Sequence, residues 1–201
     1  LEKEKMIAIP DIVNLSPEDY LALEANSDIK HEYIDGEVYT MAGATDTHVT
    51  IALNTAIALR HHLRGSGCQV YISDMKVRIK NLKKERFYYP DIMVTCEPQD
   101  RETATYKQFP KVIIEVLSDS TEAFDRGDKF IDYQSLDSLM EYILINTRQP
   151  RLDIFHRHNN RWVFNTYSLS DISADATFPI DSLNFQEKIA TIYEDIDFYR
   201  S

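Results

Sequence analysis

Apolar residues recur at helical spacing in some stretches of this chain and alternate singly in others, and the switches mark its elements. "LSPEDYLALEA" opens a helix, with Ser16 as N-cap, Pro17 in the first turn and Asp19 three residues past the cap. "HEYIDGEVYTMAG" alternates around Asp35-Gly36, which predicts a turn between two strands. "DTHVTIALNTAIALRHHLRG" is the strongest helical pattern; Ile51, Ala52, Leu59 and Leu63 help build its apolar stripe and Gly65 can end it. "CQVYISDMKVRIK" and "RFYYPDIMVTC" read as strands joined by a charged turn from Asn81 to Glu85, and the polar stretch from Arg101 to Pro110 reads as loop. Val112, Ile113, Ile114, Val116 and Leu117 predict a buried strand. A helix then opens near Ser120 and runs past Tyr133. "MEYILIN" is a short buried strand, "RLDIFHRH" and "RWVFNTYSL" form a hairpin across Asn159-Asn160, and "EKIATIYEDI" is a closing helix. This order predicts a mixed α/β (α+β) domain with a largely antiparallel sheet.

Composition narrows the class. At 201 residues, 43% of them hydrophobic, the chain has the size of a single domain spanning 1–201 with its own core. No apolar run approaches the roughly 20 residues needed to cross a bilayer, so no membrane partner is expected. Leu1 to Lys5 is charged with no apolar stretch behind it, so no secretory leader is expected. Two cysteines, Cys68 and Cys96, make no disulfide framework and no zinc cluster; a reducing, cytoplasmic setting is the default expectation. With 22 basic and 33 acidic side chains the net charge is −11, which argues against a broad nucleic-acid surface.

Two acids stand out against their surroundings. Glu115 interrupts the apolar run "VIIEVL", and Asp91 follows Pro90 inside "FYYPDIMV". A carboxylate among apolar neighbours is costly unless it is paired, hydrogen-bonded or bound to a metal. Two acids on neighbouring strands can share a divalent cation, and hard oxygen ligands suit Mg²⁺ (or Mn²⁺), which activates water and stabilises charge on a phosphate. Each acid alone reads as well as a strand end or as the partner of a nearby arginine.

"YYPDIMV", then "PKVIIEVLSDST", "DRGDKFIDY" and "EYILIN", resembles a restriction-endonuclease family long carried as a domain of unknown function, within the PD-(D/E)XK nuclease superfamily. The resemblance extends upstream through "HEYIDGEVYTMAG", "THVTIALNTAIAL" and "SDMKVRI", and covers most of Asn14 to Phe155. It implies a restriction-endonuclease-like core, a mixed sheet flanked by helices, and metal-dependent hydrolysis of DNA phosphodiesters. By position, Asp91 is the acid of the Pro-Asp motif, and Glu115 is the acid of the (D/E)XK element. Asp91 and Glu115 would hold the metal with the backbone carbonyl of Val116. The superfamily's Lys would stand at 117, where this chain has Leu117; the resemblance assigns its role to Lys129 on the following helix. Because Asp125 and Lys129 are i and i+4 on that helix, the same pair reads equally as an exposed ion pair. Glu32, His48 and Tyr133 match supporting positions. Glu32 also suits an exposed strand position, His48 the polar start of a surface helix, and Tyr133 a cover for the sheet. Restriction-type nucleases often pair, so the resemblance implies a homodimer.

One stretch favours nucleic acid despite the acidic total. Lys76, Arg78, Lys80, Lys83, Lys84 and Arg86 fall within eleven residues with only Glu85 opposing them, and alternation places Lys76, Arg78 and Lys80 on one strand face. That face could track a phosphate backbone as a local contact; it reads equally as a charged hairpin that resists edge pairing. The functional expectation is a metal-dependent endonuclease acting on DNA. The alternative is a nuclease fold retained for protein or nucleic-acid binding without cleavage.

Overall fold

Turn chemistry builds the first sheet. The computed structural model describes residue 12 and residues 14–82, 84–169 and 175–198. Ser16 caps helix α1 (Pro17–Glu24), its Oγ accepting the Asp19 N–H at 3.1 Å. Strands β1 (His31–Ile34) and β2 (Glu37–Thr40) form a hairpin in which Ile34 pairs with Glu37. That leaves Asp35 (φ 52) and Gly36 (φ 106) as a two-residue left-handed turn, the geometry that Asp-Gly favours. The Asp35 carboxylate accepts the Glu85 N–H and the Arg86 guanidinium, which ties this turn to the strand beside it. The sheet runs β2-β1-β5-β4-β7, with β4 (Lys76–Lys80), β5 (Glu85–Tyr88) and β7 (Tyr106–Lys107).

The second sheet runs β11-β10-β9-β8-β6-β3, from β3 (Gln69–Ile72), β6 (Ile92–Thr95), β8 (Pro110–Val116), β9 (Glu141–Ile145), β10 (Arg151–His158) and β11 (Arg161–Ser168). Its pairings are antiparallel except β8–β9, and in the first sheet β4–β7 is parallel. The β10–β11 hairpin turns on Asn159 and Asn160, both with positive φ. Helix α2 (Asp46–His62) buries Ile51, Ala52, Thr55, Ala56 and Leu59. Its apolar members join one core with Ile92, Val94, Val112, Ile114 and Val116. The alternate strand residues Met93, Ile113 and Leu117 pack in a separate core with Val77, Ile79 and Tyr88 of the first sheet and with Phe130 and Tyr133. The central sheet is therefore covered on both sides, which is why β8 and β9 read as continuous apolar runs. This is a restriction-endonuclease-like core: a mixed, largely antiparallel sheet flanked by helices.

Four expectations change. The helix expected from Ser120 past Tyr133 is two short helices, α3 (Glu122–Arg126) and α4 (Asp128–Tyr133), broken at Gly127. A Cβ at Gly127 would lie 3.0 Å from the Ala123 carbonyl oxygen, so the close approach at the break favours glycine there. The closing helix is only α5 (Ile189–Ile192); Glu187 and Lys188 belong instead to β13 (Phe185–Lys188), paired with β12 (Thr177–Ile180). The stretch from Arg101 to Pro110, expected as loop, holds β7, and a 3-10 turn (Pro98–Arg101) ends at its first residue. Finally, Cys68 and Cys96 are joined by a disulfide. Gln69 pairs with Thr95, so the next residues out along the β3–β6 register face each other, a proximity that a count of two cysteines does not reveal. No described helix is long and apolar enough to cross a membrane.

Candidate active site

The β6–β8 register places the two motif acids. Ile92 pairs with Ile114, so the next step of this antiparallel register sets Asp91 opposite Glu115. Both follow the alternation of Met93 and Ile113, away from the α2-facing residues. Backbone contacts lock them together. The Asp91 N–H points at Glu115 Oε2 at 3.4 Å, and the Val116 N–H donates to Asp91 Oδ2 at 2.7 Å.

Lys129 completes the group. Its side chain is 7% exposed, and its Nζ lies 3.0 Å from Glu115 Oε1, 3.4 Å from Glu32 Oε1 and 3.5 Å from Asp125 Oδ1. The i, i+4 pair with Asp125 therefore exists, but it spans the break from α3 to α4 and is buried rather than on an outer helix face. Tyr133, one turn further, is fully buried and donates its hydroxyl to Glu115 Oε1 at 3.1 Å. Glu32 is also held by the Tyr89 N–H at 3.1 Å, so the β1 strand faces the site rather than solvent. His48 sits in the first turn of α2, its N–H accepted by the Thr45 cap, and its Nε2 lies 3.1 Å from Asp91 Oδ2. Leu117, where the superfamily pattern has Lys, is buried in the apolar core.

The electrostatics follow from this crowding. Glu115 is pushed well above the ordinary carboxyl value by burial; Lys129 pulls it down, while Asp125 and Asp91 push it further up. Burial also raises Glu32 and Asp125, with Lys129 the main opposing influence on each. Burial works against the Lys129 ammonium, but Glu115, Glu32, Tyr133 and Asp125 overcome it, and its pKa rises well above the usual lysine value. For His48, burial opposes the charged ring and the hydrogen-bonded Asp91 carboxylate outweighs it, so its pKa is raised. Four carboxylates thus face Lys129 and His48. Among the described residues no three His, Cys, Asp or Glu side chains are gathered as a metal cage. Asp91 and Glu115 do offer the hard oxygen donors that Mg²⁺ takes in ones and twos alongside water.

The basic run is distributed differently. Lys76 is buried, its ammonium donating to the Tyr89 hydroxyl at 3.0 Å. Arg78 and Lys80 both pair with Glu85. Arg86 is buried between Asp35 and Asp132. Lys84 is exposed at the hairpin tip, and Lys83 lies outside the described residues. Two contributors went unassigned in the sequence. Asp125 was visible only as Lys129's helical neighbour, and nothing local distinguishes a buried i, i+4 pair from an exposed one. Tyr142 donates to the Asp125 carbonyl at 2.9 Å from across the sheet and leaves no sequence signal.

A family model described as "Putative restriction endonuclease", Uma2, matches residues 17–186. The chain belongs to the Uma2 family. The family resembles the PD-(D/E)XK-like nucleases. Two relatives in Synechocystis sp. are the "Uncharacterized protein slr1290", 34% identical over 92% of this chain and 94% of that protein, and the "Uncharacterized protein sll1609", 30% identical over 78% and 88%. The chain is also similar to a crystal structure from Anabaena variabilis, described as a "putative nuclease belonging to DUF820". That likeness has a TM-score of 0.71 at 14% identity, covers 89% of this chain and 97% of the other, and shows a shared fold. The Uma2 match spans every site residue named above, from Glu32 to Tyr133.

Proposed function

We propose that this Uma2 chain works as one domain that hydrolyses DNA phosphodiester bonds with a divalent metal ion. The observation that carries the reading is the buried contact between Lys129 and Glu115, with Asp91 in the adjoining register position. Asp91, Glu115 and the Val116 carbonyl would hold Mg²⁺ or Mn²⁺, an ion that neutralises charge on a phosphate and acidifies bound water. Lys129, kept protonated by the carboxylates around it, acts as a hydrogen-bond donor to the attacking water or to the charged phosphate, not as a base. His48, beside Asp91 and in the first turn of α2, orients phosphate or water. Glu32 and Tyr133 fix Lys129 and Glu115 in place.

Contact with DNA is local, because a net charge of −11 repels a polyanion elsewhere on the surface. A second reading, a nuclease fold that binds without cutting, is favoured by Leu117 and by the pairing of Arg78, Lys80 and Arg86 with the chain's own acids. A cleavage assay on plasmid and single-stranded DNA with Mg²⁺ or Mn²⁺, beside Asp91→Ala, decides between them. Metal-dependent cutting that disappears in Asp91→Ala supports the nuclease. Binding without cutting under either metal supports the second reading.

A further inference from the structure

Among the described residues, none covers one face of α2. Val49, Leu53 and Ile57 are 54%, 50% and 58% exposed at i, i+4 and i+8, while the flank bearing Asn54 is tied to the Ile192 and Glu194 carbonyls. Ile72 of the edge strand β3 is 49% exposed beside this stripe. Between them runs a groove of about 380 Å³ lined by Ile57, Arg60, His61, Arg64, Val70 and Ile72. Contiguous apolar surface of this kind marks an interaction site.

The order of residues along the stripe says what covers it. Asp46, Val49, Leu53, Ile57 and Arg60 all lie within roughly 40° of Leu53 around the helix, and the sequence is symmetric in character about Leu53. Val49 and Ile57 are four residues either side; exposed Asp46 and Arg60 are seven either side, about 10 Å along the axis. Among the described residues neither Asp46 nor Arg60 has an ion-pair partner in its own chain. A two-fold axis through Leu53 would lay a second α2 antiparallel on the first. It would set Val49 of each copy on Ile57 of the other and Asp46 of each on Arg60 of the other. Such self-complementarity is what a two-fold interface requires.

We propose that this face of α2 is the contact between two copies of the chain, centred on Leu53. The inference stands apart from the nuclease reading, because its test is an oligomeric state and not an activity. Sedimentation equilibrium of the full chain through the micromolar range should show a dimer. Leu53→Glu should give a monomer with an unchanged circular dichroism spectrum, as befits a half-exposed side chain. Asp46→Arg and Arg60→Asp should each raise the dimer dissociation constant by about tenfold or more, and the two together should restore it. The proposal is overturned by a monomeric wild type across that range, by a dimer indifferent to Leu53→Glu, or by a double charge reversal no better than the single ones.

Discussion

The Lys129 ammonium lies 3.0 Å from Glu115 Oε1, although the two residues are fourteen positions apart and sit on different elements. A strand, a broken helix and the first hairpin converge on this contact, since Glu32 of β1 also reaches Lys129. The pair links sheet packing directly to the chemistry proposed for the site.

Lys129→Met should lower cleavage by about a hundredfold or more, the scale expected when a positioned cation is removed. It should also destabilise the fold by about 3–5 kcal/mol, because it strands buried carboxylates without a counter-charge. Adding Glu115→Gln should return part of the stability and none of the activity. Plasmid cleavage and urea unfolding of the single and double variants measure both. Full cleavage by Lys129→Met would remove the lysine from the chemistry.

Glu115, Glu32 and Asp125 each hold a proton more tightly than ordinary carboxyls, chiefly through burial. The folded chain then binds more protons than the unfolded one, so without divalent metal stability should fall as pH rises from the ordinary carboxyl range through the raised folded values. Each extra proton contributes about 1.4 kcal/mol per pH unit. Glu115→Gln should flatten that slope, and Mg²⁺ should stabilise more near pH 8 than near pH 5. Urea unfolding in chelator at several pH values gives the slope; a wild-type profile flat across this range contradicts the prediction.

Gly127→Ala, two residues before Lys129, places a methyl 3.0 Å from the Ala123 carbonyl oxygen. Overpacking of this kind costs about 1–3 kcal/mol. The displacement passes into α4 and should reduce cleavage more than a stability loss of that size explains. Melting curves read beside kcat test this, and unchanged kcat would show that the break does not set the lysine's position.

If DNA follows the β4–β5 hairpin, Lys80→Glu with Lys84→Glu should weaken binding to every sequence. The slope of log affinity against log salt should shrink by roughly 1.8, about 0.9 for each phosphate that is no longer neutralised. Arg86→Ala should act on the fold instead, since it strands Asp35 and Asp132. Fluorescence anisotropy at two salt concentrations, with melting curves, separates the effects. Binding that ignores Lys80 and Lys84 would rule this hairpin out as the DNA-binding element.

Much of the fold was legible because its signals are local. Asp35-Gly36 and Asn159-Asn160 announce their hairpins by residues that tolerate positive φ, and Ser16 announces α1 by its cap. Asp91 and Glu115 were legible because an acid in an apolar strand is conspicuous. What stayed hidden depends on distant partners. Alternation put Lys76, Arg78 and Lys80 on one face but could not show Tyr89 beside Lys76 or Glu85 between the other two. The spacing of Ile189, Ile192 and Tyr193 is helical, yet only one turn forms; the Tyr193 hydroxyl is anchored on the Asn146 and Arg151 carbonyls. Asp125 and Lys129 read as an ordinary helix pair because a four-residue spacing shows neither the break at Gly127 nor which side meets the sheet.

The break at Gly127 also bears on how such chains are recognised. A pattern that demands a lysine two positions past the strand acid finds Leu117 here and passes the chain over. The ammonium is nevertheless at the acid, delivered by the helix that starts just after the glycine break. In this chain the acid and the ammonium share a place in space although they lie fourteen positions apart, and a profile that ties an apolar strand's acid to a lysine two residues past a glycine break would recover it where the linear motif does not.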